Sequence, residues 1–210
     1  MSADGLFWDK IAEKYAAKPV DDPSAFDRKI AITRSKLRPD SVALDVGCGT
    51  GSLALRLADA AGHVHGLDVS SEMIRIAEGK RDAQASDNVT FHVGPFDASF
   101  DAIEGGSLDV VCAYSILHLV PDRRVALAQL YRLLAPGGWL VASTVCLGNS
   151  WVPIGPVLTL MRWVGKAPRV HIFSGAELVS NVREAGFVDV DEPDVGAKPI
   201  VSFLVARKPS

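Results

Sequence analysis

The sequence predicts an α/β fold with a mostly parallel sheet and helices on both of its faces. Short apolar segments alternate along the chain with longer amphipathic ones, which is typical of repeated strand–helix units. The strand-like segment 42–46 continues directly into a glycine-rich turn and a helix start, and the next one, 63–68, ends on a carboxylate. Both features are typical of open α/β sheets, which bind ligands at the carboxyl ends of their strands.

Length and composition predict one domain over residues 1–210. A chain of 210 residues that is 48% hydrophobic suffices for one large core and is short for two domains. The net charge of -3 gives no basic field, so we expect no nucleic-acid partner. Cys48, Cys112 and Cys146 lack the paired spacing of a zinc site or a disulfide framework. This cysteine spacing predicts no metal site. The N-terminus has no signal-peptide pattern, which predicts a cytoplasmic location.

Residues 1–38 predict two helices before the first strand. Trp8, Ile11, Ala12 and Tyr15 recur at helical spacing and indicate an amphipathic helix. The cap and breaker signals of residues 21–24 start the second helix.

The glycine turn after the first strand predicts a ligand site. Gly47, Gly49 and Gly51 permit positive φ angles and remove every Cβ that would hold a ligand away from the main chain. We expect unpaired N–H groups at the helix start to point into this turn. The dinucleotide fingerprint G-x-G-x-x-G would place its third glycine at Ser52. Asp45, at the strand end, would repel a pyrophosphate and attract an ammonium group.

Asp68 predicts a second ligand contact. Its two carboxylate oxygens match the vicinal hydroxyls of a ribose. A helix-capping role is the alternative, which we disfavour because Ser70 and Ser71 already supply the cap. His63 and His65 have metal-ligand spacing, but no Cys, Asp or His cluster accompanies them, so we predict ordinary strand residues.

The remaining elements follow in alternation. A helix starts at Pro121–Asp122 and carries Leu127, Leu130, Leu133 and Leu134, and Ser174 starts another with a capping box. Pro136–Gly138 forms a turn into the fifth strand. Further strands are predicted at 89–93, 108–114, 187–190 and 200–206.

The Asp45–Gly51 turn, Asp68, the Leu108–Tyr114 strand and the Pro136–Gly138 turn together resemble class I S-adenosylmethionine-dependent methyltransferases of the small-molecule type. The resemblance covers roughly residues 40 to 145. It implies a Rossmann-like sheet of seven strands with an antiparallel last strand. It also implies that the chain is a methyltransferase whose cofactor is S-adenosylmethionine.

The resemblance assigns cofactor contacts residue by residue. Asp45 would hold the methionine ammonium side, directly or through water, and Asp68 the ribose. Because Pro95–Phe96 precede the expected acid, either Asp97 or Asp101 accepts from the adenine amino group, and we favour Asp97. Phe96 either stacks on the base or packs in the core, and Tyr15 either contacts the cofactor or only packs. The other implied contacts are Gly47, Cys48, Gly49, Gly51, Val69, Met73 and Ser115.

His118 lies where the family commonly has a histidine after the fourth strand. It is a candidate general base for an oxygen or carbon acid, because imidazole titrates near neutral pH. The resemblance places histidine here in proteins with unrelated acceptors, so we favour a shared structural or cofactor contact.

Residues 147–172 interrupt the strand–helix alternation with an apolar stretch. From Val145 to Gly165 only Arg162 is charged, but prolines and glycines argue against a transmembrane helix. The stretch could be a lid over the active site, a homodimer interface or a membrane-surface contact. We predict a lid, and therefore an apolar or aromatic small-molecule acceptor, with Arg162, Lys166 or Arg169 able to anchor one acidic group at the rim.

These predictions divide the chain into N-terminal helices over the cofactor site (1–38), a cofactor-binding core (39–146), the apolar lid (147–172) and a C-terminal helix with two strands (173–210). Two other functions stay open. A nicotinamide oxidoreductase would share the sheet and Asp68, but Ser52 replaces its third glycine and no Tyr-x-x-x-Lys pair is present. A non-catalytic cofactor-binding module is the second, since cofactor motifs alone do not prove transfer.

Overall fold

The computed structural model describes residues 3–149, 168 and 170–210. Within them the strands are β1 Val42–Val46, β2 His63–Asp68, β3 Val89–Val93, β4 Leu108–Tyr114, β5 Leu134–Val145, β6 Val188–Asp191 and β7 Val201–Arg207. The α-helices are α1 Ala3–Ala17, α2 Pro23–Arg34, α3 Ser52–Leu57, α4 Ser71–Gln84, α5 Arg123–Leu133 and α6 Gly175–Glu184. Short 3₁₀ turns follow α3 at Ala58–Ala60 and β5 at Leu147–Asn149.

The seven strands form one sheet in the order β3-β2-β1-β4-β5-β7-β6. The pairs β1–β2, β2–β3, β1–β4 and β4–β5 are parallel, whereas β7 is antiparallel to both β5 and β6. The predicted mostly parallel sheet with an antiparallel last strand is therefore confirmed. The strand order reverses between β1 and β4, and the carboxyl ends of strands at such a switch point flank a ligand crevice.

Apolar cores lie on both faces of the sheet because successive strand residues point to opposite sides. In β4, Val111 and Ala113 pack into one core, and Val110 and Cys112 pack into the other. Helices α5 and α6 cover the first face, and α2, α3 and α4 cover the second. The prediction of helices on both faces is confirmed.

The helix starts agree with their capping residues. Asp22, Ser70, Asp122 and Ser174 are the N-caps of α2, α4, α5 and α6. Each side chain accepts a hydrogen bond from a backbone N–H of the first turn, as the Ser174 hydroxyl does from Glu177 at 3.1 Å. These short polar residues therefore fix where the chain enters each helix.

The Pro136–Gly138 segment differs from the prediction. It lies inside β5 as an irregularity, because Leu134 pairs with Leu108 whereas Trp139 pairs with Val110. Leu134, predicted to be helical, is the first residue of the strand. A proline is tolerated at such a bulge because no ladder hydrogen bond is required of its nitrogen.

The connection from β3 to β4 contains no helix among residues 94–107. On β2 and β3, the side chains of His63, His65, Thr90 and His92 are consequently only half-buried. His65 Nδ1 lies 3.1 Å from His92 Nε2, and His63 Nε2 lies 3.1 Å from Thr90 Oγ1. Across the part of the chain that the structure describes, no group of three or more His, Cys, Asp or Glu could hold a metal ion.

Candidate cofactor site

The glycine turn between β1 and α3 has one side open to a ligand and one side packed. Gly47, Gly49 and Gly51 all have positive φ. A Cβ on Gly49 would meet only the Tyr15 ring, at 3.7 Å, whereas a Cβ on Gly51 would come within 2.7 Å of Phe91. The prediction that every glycine of the turn clears a ligand's approach is therefore wrong for Gly51, whose missing side chain makes room for the core.

The backbone N–H groups of the turn are already used. Those of Gly47 and Cys48 both donate to the Leu67 carbonyl, at 2.7 and 3.0 Å. The Gly49 N–H donates to Asp68 Oδ2 at 2.9 Å. These three residues precede the start of α3 at Ser52, so the expectation of unpaired N–H groups at the helix start stays a prediction.

Asp68 joins the glycine turn to the end of β2. Its Oδ2 accepts from Gly49, and its Oδ1 accepts from the Ser70 N–H at 2.9 Å. Burial raises the pKa of Asp68, and these backbone donors act in the opposite direction. Each carboxylate oxygen retains a second lone pair, so the side chain can still accept from a ligand diol.

Asp45 and Cys48 lie behind the turn. Asp45 is 2% exposed, and its Oδ2 has no hydrogen-bond partner among the residues that the structure describes. Burial, and then the charge of Asp68, raises the pKa of Asp45 to about 8. Cys48 is turned inward, with its sulfur 3.0 Å from the position of a Cβ on Gly66. Neither residue is in the wall of the adjoining cavity. The cofactor contacts of both side chains therefore stay predictions, and for Asp45 the contact through water fits its position better than a direct one.

A cavity of about 280 Å³ opens at the carboxyl ends of β1 to β4, with α1 beside it. It collects most of the predicted contacts, namely Tyr15, Gly47, Gly49, Asp68, Val69, Met73, Phe96, Asp97 and Ser115. Its wall also contains residues that sequence reasoning did not assign, namely Trp8, Leu67, Gly94, Pro95, Tyr114, Ile116, Leu119, Val120, Pro121 and Pro168. Asp101, the alternative to Asp97, is exposed and outside this wall.

Polar and aromatic groups are held at the cavity by local bonds. Asp97 Oδ1 accepts from the hydroxyl and the N–H of Ser99, at 2.6 and 2.8 Å, and these bonds lower the pKa of Asp97. Phe96 lines the cavity while its ring lies 5.7 Å from that of Phe100, so stacking on a base and packing on the core are both compatible with its position. Ser115 has a φ of 55°, a left-handed conformation that non-glycine residues rarely adopt.

His118 is held away from the cavity. Its Nδ1 lies 3.0 Å from Thr144 Oγ1, and its carbonyl accepts from the His171 N–H at 2.8 Å. Burial lowers the pKa of His118 to about 4, which makes it a weak base at neutral pH. It does not line the cavity. These observations favour the structural role, and the general-base role stays a prediction.

The first helix is fastened to the fourth by a contact that sequence reasoning missed. Asp9 Oδ1 accepts from Ser70 Oγ at 2.6 Å and from the Glu72 N–H at 3.1 Å, which lowers the pKa of Asp9. This bond fixes α1 so that Trp8 and Tyr15 face the cavity. The sequence feature that could have indicated this contact is the acidic Asp9 directly after Trp8.

Most of the predicted lid falls outside the described residues, which omit 150–167 and 169. Of the neighbouring residues, Pro168 forms part of the cavity wall. No helix that the structure describes is both long enough and apolar enough to cross a membrane.

The cavity has the features that S-adenosylmethionine requires. The open side of Gly49 admits a ligand to the main chain, and the Asp68 carboxylate can accept from a ribose. The buried Asp45 Oδ2, which has no hydrogen-bond partner among the described residues, can accept from an ammonium group through water. Fold and cavity together thus define an α/β protein with a site for a phosphate-free nucleoside cofactor.

Comparison with known proteins identifies the family. Residues 37–172 match the methyltransferase domain family. The chain is 30% identical to an O-methyltransferase of Penicillium expansum over 90% of its own length and 66% of the relative's. It is 32% identical to a demethylmenaquinone methyltransferase of Geobacillus kaustophilus over 78% of each chain. The chain belongs to the class I S-adenosylmethionine-dependent methyltransferases.

A solved structure shows the same fold at low identity. Phosphoethanolamine N-methyltransferase 2 of Haemonchus contortus, in complex with phosphomonomethylethanolamine and S-adenosylhomocysteine, has a TM-score of 0.79 and 16% identity. The alignment covers 100% of this chain and 61% of that one. The chain also spans less than two thirds of several curated relatives, 61% and 58% in two of them.

Proposed function

We propose that this protein transfers the methyl group of S-adenosylmethionine to a small-molecule acceptor. The observation that supports this most directly is the cavity where the open side of Gly49 and the carboxylate of Asp68 meet. In this proposal Asp68 binds the ribose, Asp97 the adenine amino group and Asp45 the ammonium group through water. Tyr15, Val69, Met73 and Phe96 enclose the nucleoside.

The chemistry demands little of the protein beyond positioning. The bound cofactor supplies a methyl carbon already activated by its sulfonium, and in-line displacement then depends on the approach of the acceptor. The chain's part is to hold the cofactor and to exclude water with the side chains of α1 and of the segment after β4.

We propose an apolar or aromatic acceptor. Support comes from the apolar residues of the cavity wall, which include Trp8, Ile116, Leu119 and Val120. The name of the Geobacillus relative refers to a quinone, a flat apolar ring, which is compatible with this class of acceptor. We also propose that residues 147–172 form a lid over the acceptor, with a homodimer interface as the alternative. The proposal further includes one domain and a cytoplasmic location. The free, buried state of Cys48, Cys112 and Cys146 is compatible with a reducing compartment.

Two measurements test the function. Calorimetry should show binding of S-adenosylmethionine and none of NAD, and Asp68→Ala should weaken that binding by about 1.5–3 kcal/mol, as expected for a hydrogen bond to a charged group. Transfer of labelled methyl to a metabolite extract should then identify the acceptor. Cofactor binding without transfer to any component of the extract would instead support a non-catalytic binding module.

A further inference from the structure

Lys29 is a half-buried cation with a neutral partner. It lies in α2, and its Nζ donates to Ser143 Oγ at 2.8 Å. Ser143 is in β5 and is only 4% exposed. The ion pairs found among the described residues do not include Lys29. Burial lowers the pKa of Lys29, opposed only by the charge of Asp22.

Hydrogen bonds connect Lys29 to the cavity wall. The Thr33 hydroxyl donates to the Lys29 carbonyl at 2.9 Å and lies 2.9 Å from the Tyr114 hydroxyl. On the other side, the Ser115 N–H donates to the Ser143 carbonyl at 2.6 Å. Tyr114 and Ser115 both line the cavity. The ammonium group therefore lies beside the carboxyl ends of β4 and β5, next to residues that line the cavity, while Lys29 and Ser143 themselves are outside its described wall.

This position is costly for a lysine that serves only packing. A lysine stem can cover apolar surface while its ammonium group stays in water, and most surface lysines do so. Here the ammonium group instead contacts a buried hydroxyl, which compensates a positive charge only in part. An anionic oxygen at the same place would complete the compensation, and charge-assisted hydrogen bonds are the stronger kind.

We propose that Lys29, with Ser143, binds a carboxylate of the methyl acceptor. The proposal rests on the proposed function and specifies its acceptor as an acid with an apolar or aromatic body. The acidic anchors predicted from sequence, Arg162, Lys166 and Arg169, lie outside the described residues. Lys29, in contrast, lies within the described residues, and its contact with Ser143 is defined.

Calorimetry on the full chain saturated with S-adenosylhomocysteine tests the proposal. The probes are 4-hydroxybenzoate, 1-hydroxy-2-naphthoate and the amide of each, which have nearly the same shape without the charge. The wild-type complex should bind at least one acid about tenfold more tightly than its amide, the scale of one charge-assisted hydrogen bond. Lys29→Met should abolish that preference, Lys29→Arg should retain part of it, and Lys198→Met, which removes an exposed lysine charge, should leave it unchanged.

The outcomes distinguish failure of the proposed Lys29 role from failure of the proposed methyl-transfer function. Equal binding of acid and amide, binding of neither acid, or an acid preference that survives in Lys29→Met would each overturn the role of Lys29 while S-adenosylhomocysteine still binds. Failure of the wild-type chain to bind S-adenosylhomocysteine would overturn the proposed function, and this proposal with it. Thermal unfolding of every variant confirms that the comparison is made on folded protein, and Lys29→Gln replaces Lys29→Met if the latter does not fold.

Discussion

Two glycines of one turn face different neighbours, and substitution should separate them. Either change to alanine places a side chain at positive φ, at a cost of roughly 1–2 kcal/mol. Gly49→Ala projects into the cavity and should reduce S-adenosylmethionine affinity at least tenfold with only that loss of stability. Gly51→Ala brings its Cβ within 2.7 Å of Phe91 and 2.9 Å of Ala77, and overpacking should cost roughly 1–3 kcal/mol more. Calorimetry and urea unfolding measure the two effects, and equal stability of the two variants would contradict the assignment.

The buried Asp45 carboxyl should make the free protein less stable as pH rises. Its folded pKa of about 8 lies above the unfolded value of about 3.9, so the unfolded state ionises first. The contribution of Asp45 to the free energy of unfolding is therefore fully present below about pH 4 and is lost progressively up to about pH 8. Asp45→Asn should remove this loss, so that the variant gains in melting temperature relative to wild type between pH 5 and 8. A constant difference across that range would show that Asp45 is ionised in the free protein.

Residue types predicted the site better than they predicted side-chain directions. Asp68 and Gly49 could be placed together from sequence because the turn and the acid are close in the chain, and both line the cavity. Gly51 and Cys48 could not, since the direction in which each faces is decided by Phe91 and Gly66, which belong to other strands. Short-range spacing carries no information about which side of a turn the core will occupy.

At the scale of elements, the contact between α1 and α4 should control cofactor release. Asp9 accepts two hydrogen bonds at the start of α4, in the manner of a helix cap, for which loss typically costs about 1 kcal/mol. Asp9→Ala should therefore free α1, with Trp8 and Tyr15, and accelerate dissociation of S-adenosylmethionine severalfold. Stopped-flow tryptophan fluorescence measures this rate. Lys10→Ala, on the exposed side of the same helix, is the control, and an equal change in both variants would argue against the contact.

Strands were more predictable than the transitions between elements. The limits of β2, β3 and β4 follow from apolar periodicity and agree with the structure. The start of β5 does not, because the bulge at Pro136–Gly138 exists only through pairing with Leu108 and Val110 of β4. Periodicity likewise did not predict that β3 and β4 are joined without a helix. That connection depends on which part of the sheet face the other helices leave uncovered.

At the scale of the whole molecule, histidines on separate elements should destabilise the fold at acid pH. Burial, and then the neighbouring His63 and His92, lowers the pKa of His65 to about 4; burial alone lowers that of His118 to about 4. The unfolded values are about 6.5, so the unfolded state binds protons first as pH falls. Stability present above pH 6.5 is therefore lost towards pH 4. Urea unfolding should show this loss, and it should shrink in His65→Asn/His118→Asn; an equal loss in that variant would place the cause elsewhere.

The position of β7 between β5 and β6 has a consequence for how the molecule assembles. β6 precedes β7 in the chain, yet in the sheet it pairs only with β7 among the described strands. Until β7 arrives, β5 presents an open edge along Trp139–Val145, and such edges recruit strands from other molecules. The parallel core from β3 to β5, which contains the cofactor cavity, does not need β7 for its own pairings. Early cofactor binding would thus stabilise a partly assembled sheet during the interval when that sheet is most prone to aggregate.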